Sequence, residues 1–209
     1  MLGKGRRGGT QARGRARRQL LLEAARRLLE TRDVDEITLP EVAVAAGIPK
    51  SSTYHFFDDL HALYAELASV HDEELYQAFS APMPQVSSWQ DIVREFARRA
   101  GGYFSENVSA QKLMFGPKTP PDIKRASRGA DVRHGELLES SIDAVFVLPD
   151  LPQRSRIFFR AVEAMDLMFG LSLIEYDALV DPMVQEAHRI AVAYLELYVP
   201  PKLERRGGA

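Results

Sequence analysis

The chain has 209 residues, 45% of them hydrophobic, enough to bury a sizeable core in one large or two small domains. It holds no cysteine, which excludes disulfide staples, thiol catalysis and cysteine-ligated zinc, and no run of about 18 apolar residues that would cross a membrane. The net charge of −2 hides an uneven spread: residues up to Phe57 carry eleven basic and six acidic side chains, net +5, which leaves −7 for the rest. A basic front on an acidic body points to a polyanionic partner for the front alone. The basic N-terminus lacks the apolar segment of a secretory signal, so a cytoplasmic location is expected.

Strand-like alternation is missing over any useful length, and helical spacing runs throughout. Residues 1–15, rich in glycine and arginine, read as a flexible basic arm that either follows a nucleic-acid backbone or only solubilises the chain. Leu21, Ala24, Ala25, Leu28 and Leu29 make an apolar stripe for a first helix over about 16–31. Thr38-Leu39-Pro40-Glu41 is a capping box with proline in the first turn, so a second helix runs from there to about Ala46. Gly47 ends it, in the left-handed conformation that glycine adopts cheaply. Pro49 opens a short third helix through about Phe56, and Asp58 or Asp59 caps a fourth with the stripe Leu60, Leu63, Tyr64, Leu67, Val70 and Leu75.

The chain turns around 81–84. A fifth helix is expected over 88–106, with Trp89, Ile92, Val93, Phe96 and Ala100 inward and an interruption at Gly101-Gly102. A short segment at 109–115 ends at Gly116-Pro117. Longer helices follow over about 122–147, 152–176 and from Asp181 to Pro200-Pro201, and residues 202–209 read as a loose tail. The fold expected is all-α with about nine helices: a three-helix helix-turn-helix unit over 16–60, then a helical bundle over 61–201.

Two short helices around a glycine turn, with longer helices on either side, form a helix-turn-helix, whose second helix meets base edges with its first residues. In "GIPKSSTYHFF" that places Lys50, Ser51 and Ser52 at the exposed tip, as short or flexible donors to bases and phosphates. Tyr54 and Phe57, at i and i+3, are expected on one face: Phe57 in the core, Tyr54 with its ring on that core and its hydroxyl at a phosphate, and His55 on the nucleic-acid side. A capped helical hairpin without ligand has the same spacing.

The stretch "ITLPEVAVAAGIPKSSTYHFFDDLHALYAEL" resembles the DNA-binding region of TetR-type transcriptional regulators, through Thr38, Ala43, Ala46-Gly47-Ile48, Lys50, Tyr54, Phe57 and Leu63. The resemblance covers about 45 residues closely; the remainder matches in length, helix count and two long C-terminal helices. It implies a cytoplasmic regulator whose front binds double-stranded operator DNA, whose body binds a small effector and whose last two helices dimerise. By position it assigns Thr38, Lys50 and Tyr54 to phosphates, and Ser51, Ser52 and His55 to bases or phosphates. Two positions depart from the family pattern: Thr53 stands where an apolar residue is usual, and Leu60 where a lysine is frequent.

In the body, aromatic and methionine residues beside the glycine breaks suggest a cavity walled by Phe96, Tyr103, Met114, Phe115, His134 and Phe169, although such stripes are more often plain core. His134 would be a polar handle there, but its neighbours Arg133 and Glu136 favour the surface of its helix. The last two helices are apolar on every face, so one face of each should meet a second copy, with Phe158, Met165, Phe169, Leu173, Ile190 and Tyr194 at the contact. The five histidines lack metal-type pairing, no glycine-rich loop follows a strand, and the acid pairs are adjacent rather than co-facial. No enzyme, cofactor or metal is therefore expected. The alternative is a helical ligand-binding or interaction protein without DNA binding.

Overall fold

Leu21, Ala24, Ala25 and Leu29 recur at helical spacing, and the first helix, α1 (Gly5–Leu29), buries all four completely. The molecule is seen in a computed structural model that describes residues 5–207; the start of the basic arm, residues 1–4, lies outside them, as do residues 208 and 209 of the tail. From Gly5 onward the stretch expected to be arm is already helical, because it contains no proline and its arginines and alanines favour the helix enough to offset the glycines.

Thr38 begins α2 (Leu39–Ala45): its backbone N–H donates to Glu41 Oε2 at 2.8 Å. At the other end Gly47 takes φ +66°, Ile48 N–H reaches back to Ala43 O at 2.9 Å and Gly47 N–H to Val44 O at 3.1 Å. That pair of bonds turns the chain into α3 (Lys50–Thr53), which is shorter than its spacing suggests. After Thr53 the turn tightens, with Phe56 N–H and Phe57 N–H sharing the Thr53 carbonyl. Asp59 is the cap of α4 (Leu60–Ser80), accepting from Ala62 N–H at 2.7 Å.

The remaining helices are α5 (Trp89–Glu106), α6 (Val108–Met114), α7 (Pro121–Asp143), α8 (Arg154–Tyr176) and α9 (Asp181–Leu195). The expected interruption at Gly101-Gly102 does not occur: α5 runs through it. A Cβ at Gly101 would stand 2.8 Å from a Val184 methyl, so this glycine brings α5 and α9 close rather than breaking a helix. Arg99 on α5 caps the C-terminus of α4, with its guanidinium 2.8 Å from Phe79 O, 2.7 Å from Ala81 O and 2.8 Å from Pro82 O. The described part of the tail is tied down at 204–206: Val147 N–H donates to Glu204 O and Arg206 N–H to Val145 O, each at 2.8 Å, and Arg205 reaches Val86 O.

Two hydrophobic clusters result. The front one joins α1, α2, Ile48, Phe57 and the first half of α4 (Leu63, Tyr64, Leu67, Ala68), together with Leu113 of α6 and Ile123 of α7. The rear one joins the second half of α4 (Leu75, Phe79) to α5, α7, α8 and α9. The boundary expected at 60/61 therefore falls at the start of a helix that serves both.

Candidate nucleic-acid interface

Lys50, Ser51, Tyr54 and His55 are exposed at the start of α3 and on the turn behind it; Ser52 is half-buried. Thr53 is 1% exposed and bonds back to the Pro49 carbonyl, Oγ1 to O at 3.4 Å, which satisfies its hydroxyl at a position where an apolar residue would be usual. Tyr54 and Phe57 do not share a face: α3 closes at Thr53, Tyr54 stands 53% exposed and Phe57 is 2% exposed in the core. Thr38 is exposed beside the same surface and flanks with Lys50 a shallow groove along α2, although its hydroxyl donates to Glu41 Oε2 at 2.6 Å. The hydrogen bond from Thr38, then Arg32, holds the Glu41 carboxyl below its usual range. The N-terminus of α4 offers no free site for a phosphate at Ala62 N–H, which Asp59 occupies.

Of the basic run ahead of α2, Arg13, Arg15 and Arg17 are exposed, whereas Arg18 turns inward. Its guanidinium lies 4.5 Å from the centre of the Phe57 ring, donates to Phe56 O at 2.9 Å and pairs with Glu66. Sequence spacing missed this clamp, which braces the α3–α4 turn against α1.

A second set that sequence reasoning missed ties the front to the body. Arg26 of α1 meets Glu74 Oε1 of α4 at 2.7 Å, and the Tyr103 hydroxyl of α5 donates to Glu74 Oε2 at 2.7 Å. His71, fully buried, lies 2.7 Å from that hydroxyl through Nδ1 and 3.0 Å from Ser109 Oγ of α6 through Nε2. Burial pushes the His71 pKa down to about 4, so the ring is neutral at pH 7. Since the Tyr103 O–H points at Glu74, the Tyr103 oxygen accepts from His71 Nδ1–H, and His71 Nε2 accepts from Ser109. The signal was available: Leu67, His71, Leu75 and Phe79 form one i, i+4 row on the buried side of α4.

The six residues expected to wall a pocket are packed into the body's interior, five of them in or against the rear cluster and His134 beside its Phe79. Phe96 stacks on Phe79 at 4.8 Å, Phe115 meets Phe169 at 5.9 Å, Met114 is buried, and Tyr103 is held as above. His134 is not on the surface of α7: it is 1% exposed, between the Tyr76 and Phe79 rings. Open clefts lie elsewhere. One of about 290 Å³ sits where front and body meet, lined by Asp33, Val34, Gln111, Lys112, Gly116 and Leu173 among others. Another, of about 610 Å³, opens between α5 and α9 beside Arg94, Arg98, His188 and Arg189.

Of the residues expected at a partner contact, Phe158, Met165 and Phe169 are at most 4% exposed, and they fill the chain's own core against α5 and α7. Leu173, Ile190 and Tyr194 are half-buried. The outward apolar surface is formed instead by Leu167 (54% exposed) and Ile174 (69%) of α8 and by Leu197 (74%) just past α9.

The structure also brings Asp72 of α4 to Asp131 and His134 of α7, all buried. The i, i+3 spacing of Asp131 and His134 was legible, but their approach to Asp72 was not. Asp131 in turn touches Glu163 and Asp166 of α8, and burial together with Asp131 drives the Glu163 carboxyl up to about 7.

Residues 21–67 match the sequence model of the bacterial regulatory proteins of the tetR family. No curated protein matches the chain. Among solved structures it is similar to a TetR-family transcriptional regulator from Streptomyces coelicolor (21% identity, 87% of this chain and 99% of that one covered, TM-score 0.69). It is also similar to the fatty acid degradation regulator FadR from Bacillus halodurans (12%, 83% and 93%, TM-score 0.65). A third likeness is to the flavonoid-responsive regulator FrrA (18%, 90% and 99%, TM-score 0.56). The front of this chain is thus a tetR-family DNA-binding domain, carried on the fold of TetR-family transcriptional regulators.

Proposed function

We propose that the protein is a ligand-responsive repressor that binds a palindromic operator as a homodimer. The observation that carries this is the reading tip: Lys50 and Ser51 stand exposed on the first turn of α3, with Tyr54 and His55 behind them, on a turn fixed by Gly47 and braced by Arg18. In this reading Thr38, Lys50 and Tyr54 meet phosphates, and Ser51, Ser52 and His55 meet bases or phosphates. Residues 16–60 read DNA, and residues 61–201 bind the effector and dimerise.

Two tips bind when they stand one DNA turn apart, roughly 34–36 Å. An effector that prefers another spacing empties the operator, and a coupling of about 1–3 kcal/mol changes affinity roughly 5–150-fold. The effector is a small, largely apolar molecule that enters by the junction cleft. Two of the residues lining that cleft, Gly116 and Leu173, adjoin Phe115 and the Phe169 turn of α8. The hydrogen-bonded chain from Ser109 to Arg26 supports transmission from there to α1.

The test is selection of random duplexes on the purified protein. A palindromic consensus is expected; a flat selection would leave the protein as a helical binding module without DNA recognition.

A further inference from the structure

His134 Nε2 is buried and makes no hydrogen bond among the described residues, and the same holds for Asp72 Oδ1. The two atoms face each other at 3.4 Å. That separation is long for an N–H···O hydrogen bond. It is the span of two metal–ligand bonds of about 2.1 Å each at a roughly tetrahedral angle. The other ring nitrogen, Nδ1, lies 3.3 Å from Asp131 Oδ1, the carboxylate–imidazole arrangement that fixes a metal-binding histidine's tautomer. The imidazole cannot swing away, since the Tyr76 ring lies 6.2 Å from it on one side and the Phe79 ring 5.2 Å on another.

Acidic side chains outnumber basic ones around the site. Four carboxylates converge from three helices: Asp72, Asp131, Glu163 and Asp166. Two guanidiniums answer them, Arg133 at 3.0 Å from Asp72 Oδ2 and Arg128 on Glu163. A cleft of about 110 Å³ between α4 and α7, lined by Ser69, Ala126, Ser127 and Ala130, leads from the surface to Asp72.

From this geometry we propose that Asp72 Oδ1 and His134 Nε2 bind one divalent first-row metal ion in the body, with Asp131 positioning the imidazole and water from the α4–α7 cleft completing the coordination. One imidazole nitrogen with carboxylate oxygen suits zinc or its neighbours better than calcium or magnesium. The proposal does not depend on DNA binding.

The test uses the untagged full-length chain, stripped with chelator and titrated with Zn²⁺ by calorimetry at pH 7. One ion per chain is expected. Asp72→Asn and His134→Gln should each weaken binding at least tenfold, and Asp131→Asn between about ten- and a hundredfold. Circular dichroism checks that the variants are folded. A readout on the wild type alone covers the case where they are not: the His134 ring resonances should shift with one equivalent of Zn²⁺ while those of His55, His61 and His188 stay put. No saturable binding, equal binding by the Asp72 and His134 variants, or shifts confined to the other histidines would overturn the site.

Discussion

The Tyr103 hydroxyl donates to Glu74 Oε2 at 2.7 Å while Glu74 Oε1 holds Arg26 at the same distance. One carboxylate on α4 thus joins the middle of the body to the first helix of the reading unit. Tyr103→Phe keeps the ring but leaves buried His71 without its partner at Nδ1. The expected cost is about 1–3 kcal/mol in urea unfolding. An unchanged midpoint would mean that His71 finds another acceptor.

At the DNA face, Lys50→Ala should weaken binding to all duplexes alike and lower the salt slope by about one, as for a lost phosphate contact. Ser51→Ala should relax preference at particular base positions instead. Deleting residues 2–14 removes the start of α1 and its arginines, and should flatten the salt dependence further. Titrations at several salt concentrations separate the three; identical slopes throughout would remove these residues from the interface.

The outward row on α8 gives a sharper dimer test than the buried phenylalanines do. Leu167→Glu with Ile174→Glu should yield a folded monomer in sedimentation velocity. Phe169→Glu, by contrast, places a charge in a site 1% exposed and should unfold the chain. A dimer that survives the double change would put the partner contact elsewhere.

The helices were legible because apolar residues recur at 3.6-residue spacing, and the turn because Gly47 and the Thr38–Glu41 pair are local signals. What escaped was set by contacts distant in sequence. Gly101 looks like a breaker until Val184 is seen against it, and Arg18 looks like part of a basic arm until Phe57 and Glu66 claim it. The apolar residues of α8 suggested an interface at Phe158, Met165 and Phe169, yet they fall on every face of the helix and composition cannot say which of them look inward.

Close approach at Gly101 has a measurable price: Gly101→Ala would set its Cβ against the Val184 methyls at 2.8 and 2.9 Å. A loss of about 1–3 kcal/mol is expected from overpacking. Val184→Ala in the same chain should recover part of it, a coupling visible in a double-mutant cycle. Strict additivity would place the strain elsewhere.

Acid should act through Glu95. Hydrogen bonds from Arg98, then Arg99, hold its pKa down to about 2, below the ordinary 4.5. Between those values the unfolded chain binds the proton and the folded chain does not. The stabilisation is therefore complete above pH 4.5 and fades as pH falls toward 2. After solvent screening it amounts to about 1–2 kcal/mol at pH 7. Glu95→Gln should lose that amount in urea melts at pH 7, and the gap to wild type should narrow as pH falls from 4.5 toward 2. A constant gap would assign the loss to the Arg99 clamp alone.

Because α4 lends Leu63 and Leu67 to the front cluster and Leu75 and Phe79 to the rear one, the reading unit cannot be excised by a single cut. A fragment ending at residue 60 lacks part of its own interior, and one ending at residue 80 still lacks Leu113 and Ile123. Transplanting this reader onto another sensor would require carrying α4 whole and rebuilding the surface that those two residues cover.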